Sequence, residues 1–81
     1  MAKKWKVKKN KVTGSNGNDS ITWQKSWKKA FTVNAGYGND VINFRKSKYN
    51  NKLNGQAGND TIYGGKGNDI IDGGADNDVI F

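Results

Sequence analysis

Cysteine, histidine and glutamate are all absent from this chain of 81 residues. Without cysteine there are no disulfides and no thiolate metal sites. Without histidine the commonest zinc ligand and the usual catalytic base are missing. Without glutamate there is no closing ligand for an EF-hand loop. No stretch is long and apolar enough to span a membrane. Met1 to Val12 also lacks the apolar segment of a secretory signal, so no N-terminal export signal is expected. No nucleophile–base pair stands out, and no carboxylate pair lies outside the repeats described below, so catalysis within these residues is not expected.

What remains for metal chemistry is oxygen. The acidic residues are seven aspartates, and 11 glycines free the backbone to present its carbonyls. Oxygen-only ligand sets suit calcium or magnesium. A domain this small rarely stabilises itself by core burial alone, and a metal is one common remedy.

Charge is divided unevenly along the chain. Residues 1–12 hold six lysines, residues 13–54 seven basic residues and two aspartates, and residues 55–81 one lysine and five aspartates. The formal total of +7 hides a basic half joined to an acidic one.

A nine-residue repeat organises the chain. Gly55–Tyr63, Gly64–Asp72 and Gly73–Phe81 follow one another directly, and Gly14–Thr22 and Ala35–Asn43 stand apart. All five copies carry Asn-Asp at positions 5 and 6 and isoleucine at position 8. Position 4 is glycine in four copies and Asp76 in the last, where a distorted turn is expected. Glycine and asparagine tolerate left-handed backbone angles, so the first six residues suit a tight turn. The last three place one inward aliphatic side chain between two outward ones, which is a short strand.

The position-8 register extends to Val12, Ile21, Val33, Ile42, Leu53, Ile62, Ile71 and Ile80, which predicts eight stacked strands. Three extra residues after Ile21 and two after Ile42 are absorbed by loops. The expected fold is therefore all-β, a parallel β-roll (a flattened right-handed β-helix or solenoid) of about four coils with short strands. Residues 1–12 form a basic N-terminal arm or first strand, and residues 13–81 form the roll. Turns 14–19, 35–40, 55–60 and 73–78 fall on one edge. The connections near 23–31 and 44–51 and the turn 64–69 fall on the other.

One such turn has too few oxygens for calcium, but two turns stacked one coil apart can share an ion. The expected carboxylate ligands are Asp19, Asp40, Asp60 and Asp78 on the first edge, paired successively, and Asp69 in a half-built site on the second. The expected backbone carbonyl ligands are those of Gly14, Asn16, Asn18, Gly36, Asn39, Gly55, Ala57, Asn59, Gly64, Lys66, Asn68, Gly73, Ala75 and Asn77. Asp72 is read as a solvated strand residue. Crowded carboxylates repel without a cation, so folding and metal binding are expected to be coupled.

The repeats resemble the hemolysin-type, or repeats-in-toxin (RTX), calcium-binding nonapeptides over roughly 13–23 and 34–81. The resemblance implies several bound Ca2+ ions, an extracellular location reached by type I-like export, and a separate functional domain elsewhere. Such regions are usually acidic, and this chain is +7. The strands end at Ile80 and Phe81 with no polar cap, so either the array continues or rolls associate end to end.

The second edge suggests a further partner. Lys25, Lys28, Lys29, Arg45, Lys46 and Lys48, with the N-terminal arm, would form a basic surface with Trp23, Trp27 and Tyr49 interleaved. Such a surface suits an anionic polysaccharide or a lipid headgroup layer. Nucleic acid is the least favoured partner for an extracellular protein.

Overall fold

A computed structural model describes residues 5–81. Met1–Lys4, the start of the expected basic arm, lie outside the described residues. Nine short strands form two sheets and no helix is present among the described residues. One sheet contains β1 (Lys6–Lys8), β2 (Lys11–Thr13), β4 (Thr32–Asn34), β6 (Lys52–Asn54) and β8 (Ile70–Asp72), in that order. The other contains β3 (Ser20–Thr22), β5 (Val41–Asn43), β7 (Thr61–Tyr63) and β9 (Val79–Ile80). Apart from β1, every pairing is parallel. The chain is thus a β-solenoid of about four coils, as expected.

The register is the one that the repeat dictates. Val12, Val33, Leu53 and Ile71 pair in one sheet, and Ile21, Ile42, Ile62 and Ile80 in the other. The first three of each column are fully buried between the sheets. Burying such a side chain contributes about 1.5–3 kcal/mol. The expected core is incomplete at the last coil, however. Ile71 is only partly buried, and Ile80 is 50% exposed. No further coil lies over them, so one side of each meets solvent.

Four core residues come from outside the strand register: Trp5, Phe31, Ala35 and Phe44. Trp27 stacks on Phe31 with ring centroids 4.5 Å apart and lies 5.8 Å from Phe44. Trp5 meets Trp27 edge-on at 6.2 Å. Trp27 therefore packs against this core while also lining a surface cavity with Lys28 and Lys29. This cluster fills the second edge of the first two coils, where the loops are longest.

The first strand differs from a coil of the roll. β1 runs antiparallel to β2, with Lys9 between them at φ 55°. The indole Nε1–H of Trp5 donates to the carbonyl of Ser20 at 2.9 Å, at the outer margin of β3. The arm is thus an end strand carrying lysines, a known protection against edge pairing.

Candidate metal centre

Four turns stack on the first edge and bring Asp19, Asp40, Asp60 and Asp78 into one column. The backbone N–H of Asp19 donates to Asp40 Oδ1 at 2.7 Å, that of Asp40 to Asp60 Oδ1 at 2.9 Å, and that of Asp60 to Asp78 Oδ1 at 2.8 Å. Beside it runs an asparagine column with the opposite sense. Here the N–H of Asn39 donates to the Asn18 side-chain oxygen, Asn59 to Asn39, and Asn77 to Asn59, at 2.7–3.0 Å. Adjacent coils are therefore tied reciprocally through positions 5 and 6. This tie between coils is not among the expectations from sequence, although the repeated Asn-Asp pair is a signal for it.

The second oxygens of these carboxylates differ from coil to coil. Asp19 Oδ2 accepts from the Ser15 N–H at 2.8 Å, and the Ser15 hydroxyl also reaches this carboxylate. In the next coil the equivalent N–H, that of Gly36, donates instead to Gln56 Oε1. Asp40 Oδ2 and Asp60 Oδ2 are buried and have no hydrogen-bond partner. Both residues are 1% exposed. Burial pushes the Asp40 carboxyl up to about 7; a hydrogen bond from Asp19 opposes the shift, and the Asp60 and Asp19 charges add to it. Burial likewise raises Asp60, with the Asp40 N–H opposing and Asp78 adding repulsion. A buried polar atom without a partner is costly and calls for an explanation.

Backbone carbonyls crowd the same stack. A Cβ added to Gly36 would lie 2.7 Å from Ser15 O, and one on Gly38 would lie 2.6 Å from Gly17 O. One on Gly55 would lie 2.6 Å from Asp60 Oδ2 and 2.9 Å from Gly73 O. These glycines are needed because carbonyl and carboxylate oxygens of their own and neighbouring turns come this close. Gly73 was among the expected carbonyl donors. The carbonyls of Ser15 and Gly17 were not, because sequence alone does not say which turn oxygens point along the stack. No three acidic side chains converge on one point among the described residues. Any cation here would therefore draw on backbone oxygens as well as carboxylates.

On the second edge, Asp69 accepts from Gly65 N–H at Oδ2 and from Asn51 N–H at Oδ1. Its neighbour in the stack is thus Asn51, which the sequence reading passed over. Asp76 adopts φ 71° itself, close to the left-handed angles of Gly38 and Gly58, and accepts from Gly58 N–H at 3.1 Å. Aspartate is one of the few side-chain-bearing residues that tolerates this angle. Asp72 accepts locally from Gly74 N–H and is exposed, as expected.

A model of the RTX calcium-binding nonapeptide repeat matches the chain in four copies, over residues 9–22 and 47–80, more than half of its length. The chain belongs to the RTX repeat family. RTX nonapeptides bind several Ca2+ ions per repeat region, and the family is structural, not catalytic. Proteins with RTX repeats are typically secreted. No curated protein and no solved structure matches the chain. The Ala35–Asn43 copy lies outside the matched residues, yet its turn occupies its place in the aspartate column.

Asp40 Oδ2 and Asp60 Oδ2 are acceptors that lack donors, in a setting of carbonyl oxygens, and a hard cation satisfies that donor set. The first edge therefore fits calcium.

Proposed function

We propose that this RTX module couples calcium binding to its own folding, as part of an extracellular protein. The observation that carries the reading is the pair of buried, unpartnered oxygens at Asp40 and Asp60. A calcium ion supplies positive charge that these carboxylates lack. The residues do the rest. The aspartate column holds one oxygen of Asp40 and of Asp60 on the preceding coil's N–H and leaves the other free. The turn glycines let carbonyls approach from above and below. Asp19, Asp40, Asp60 and Asp78 contribute carboxylates in this reading, with turn carbonyls completing each site. Without the ion, the stacked charges oppose closure of the first edge, and metal affinity becomes folding free energy.

Circular dichroism and amide exchange, with calcium and then with excess chelator, test the coupling. The β-signal and the protection of the 35–40 and 55–60 turns should rise with calcium, at about 0.1–1 mM if the affinity follows extracellular modules. Identical spectra and exchange in both conditions would overturn the reading.

A second reading concerns the basic face. Thr22, Trp23, Lys25, Asn43, Arg45 and Lys46 line a cavity of about 340 Å³ beside β3 and β5. Arg45 lies 4.9 Å over the Tyr63 ring, which stacks on Phe81 at 4.7 Å. Cations beside an indole and amide groups suit a carboxylated polysaccharide. In this reading calcium only stiffens the scaffold. Charge reversal of Lys25 and Lys46 should weaken binding to such a polysaccharide without changing the calcium response. Unchanged binding would remove the idea, and binding to anionic vesicles alone would transfer it to membranes. The uncovered last rung, with Ile70, Ile80 and Phe81 exposed, offers the surface for a further coil or a second copy.

A further inference from the structure

The two edges of the roll carry different residues at the same place in the winding. Counting back from the buried aliphatic residue, position 6 on the first edge is Asp19, Asp40, Asp60 and Asp78. On the second edge it is Asn10, Phe31, Asn51 and Asp69, so apolar, neutral and acidic residues share one column. The hydrogen-bond ladder is nevertheless the same. Phe31 N–H donates to Asn51 Oδ1 at 2.9 Å, and Asn51 N–H donates to Asp69 Oδ1 at 2.9 Å. These match the bonds from Asp19 to Asp40 and from Asp40 to Asp60.

The second atom of the side chain is where the edges part. Asp40 Oδ2 is buried and unpartnered. Asn51 Nδ2, its counterpart, donates to Ser47 Oγ at 2.9 Å and to the Tyr49 carbonyl at 3.0 Å. Asn51 is 2% exposed and Ser47 is fully buried. Asp69 Oδ2, last in the column, is met by Gly65 N–H at 2.8 Å. Each buried polar group on this edge thus finds its partner within the protein.

We propose that the Asn51 side-chain amide takes the place of a metal ion on the second edge, so that calcium is confined to the first. An amide N–H2 donates to the oxygens that a cation would otherwise gather, without bringing a carboxylate to neutralise. The Trp27–Phe31–Phe44 packing closes the same edge without charge. Asp69 remains in the repeat pattern, but its neighbour in the column is the Asn51 amide, so it has no second carboxylate with which to share an ion. This inference rests on the reading that the first edge binds calcium.

Calcium stoichiometry by titration calorimetry separates the two claims. In the otherwise unchanged chain, Asp40→Asn should lower the number of bound ions and Asp69→Asn should leave it unchanged. Asn51→Asp places a second carboxylate oxygen against the Tyr49 carbonyl. It should lower the metal-free melting temperature and add one bound calcium per chain, which restores it. Asn51→Ala should be destabilised to the same degree with and without calcium. A loss of ions in Asp69→Asn overturns this inference and leaves the first-edge reading standing. The same holds if Asn51→Asp gains no ion. An unchanged count in Asp40→Asn overturns the first-edge reading itself, and with it the confinement.

Discussion

At Asp40, protonation and folding are linked with a sign opposite to that of a surface carboxylate. Burial raises its folded pKa to about 7 from the ordinary 3.8, so the folded chain holds that proton more tightly than the unfolded one. The stability contributed by the proton is fully present below about pH 4 and is lost as pH rises to about 7. Asp60 shifts in the same direction. The metal-free chain should therefore melt at a higher temperature at pH 5 than at pH 7.5. With saturating calcium the order should invert, because protons then compete with the ion for the same oxygens. Thermal melts in chelator and in calcium at the two pH values check this. Equal metal-free melting temperatures would count against buried, cation-seeking carboxylates.

The turn is the next scale up, and its glycines limit what it tolerates. Gly58 has φ 100°, and a Cβ there would collide with the Gly38 carbonyl. Gly58→Ala should cost well over 1 kcal/mol even in saturating calcium, since neither the angle nor the space accepts a side chain. Chemical denaturation measures it. The asparagine ladder predicts a smaller effect. Asn39→Ala removes the acceptor of Asn59 N–H on an exposed surface, and should cost about 0.5–1.5 kcal/mol.

Turns and strands were legible because each nonapeptide repeats both its aliphatic position and its Asn-Asp pair. The eight registered strands follow from that. Phe31 and Phe44 were hidden because the irregular loops have no period to assign an inward side. Asn51 was hidden differently. Two inserted residues precede it, and only counting back from Leu53 shows that Asn50 and Asn51 hold the Asn-Asp places. The structure repeats the tie there, with Asn68 N–H on the Asn50 side-chain oxygen at 2.7 Å. Which carboxylate oxygens lack donors was beyond reach, because that depends on Gln56 drawing the Gly36 N–H away from Asp40.

Across the whole molecule, each strand of the roll pairs only with those of adjacent coils, and the buried aromatic packing gathers at one end. Trp5, Phe31 and Phe44 are buried beside Trp27, while the last coil leaves Ile80 half exposed. Truncating Trp5 to alanine removes a large buried ring and should cost about 3–5 kcal/mol. Melting in calcium measures it, and a loss under 1 kcal/mol would show that the cluster does not anchor the roll.

The reversed strand at the beginning of the stack gives the roll a polarity. β1 closes the margin of one sheet with its direction inverted, and the Trp5 indole occupies a carbonyl on the margin of the other. The two ends of the stack therefore differ: a strand pairing beyond β8 or β9 would meet the direction of the roll, whereas one pairing beyond β1 would meet a reversed strand.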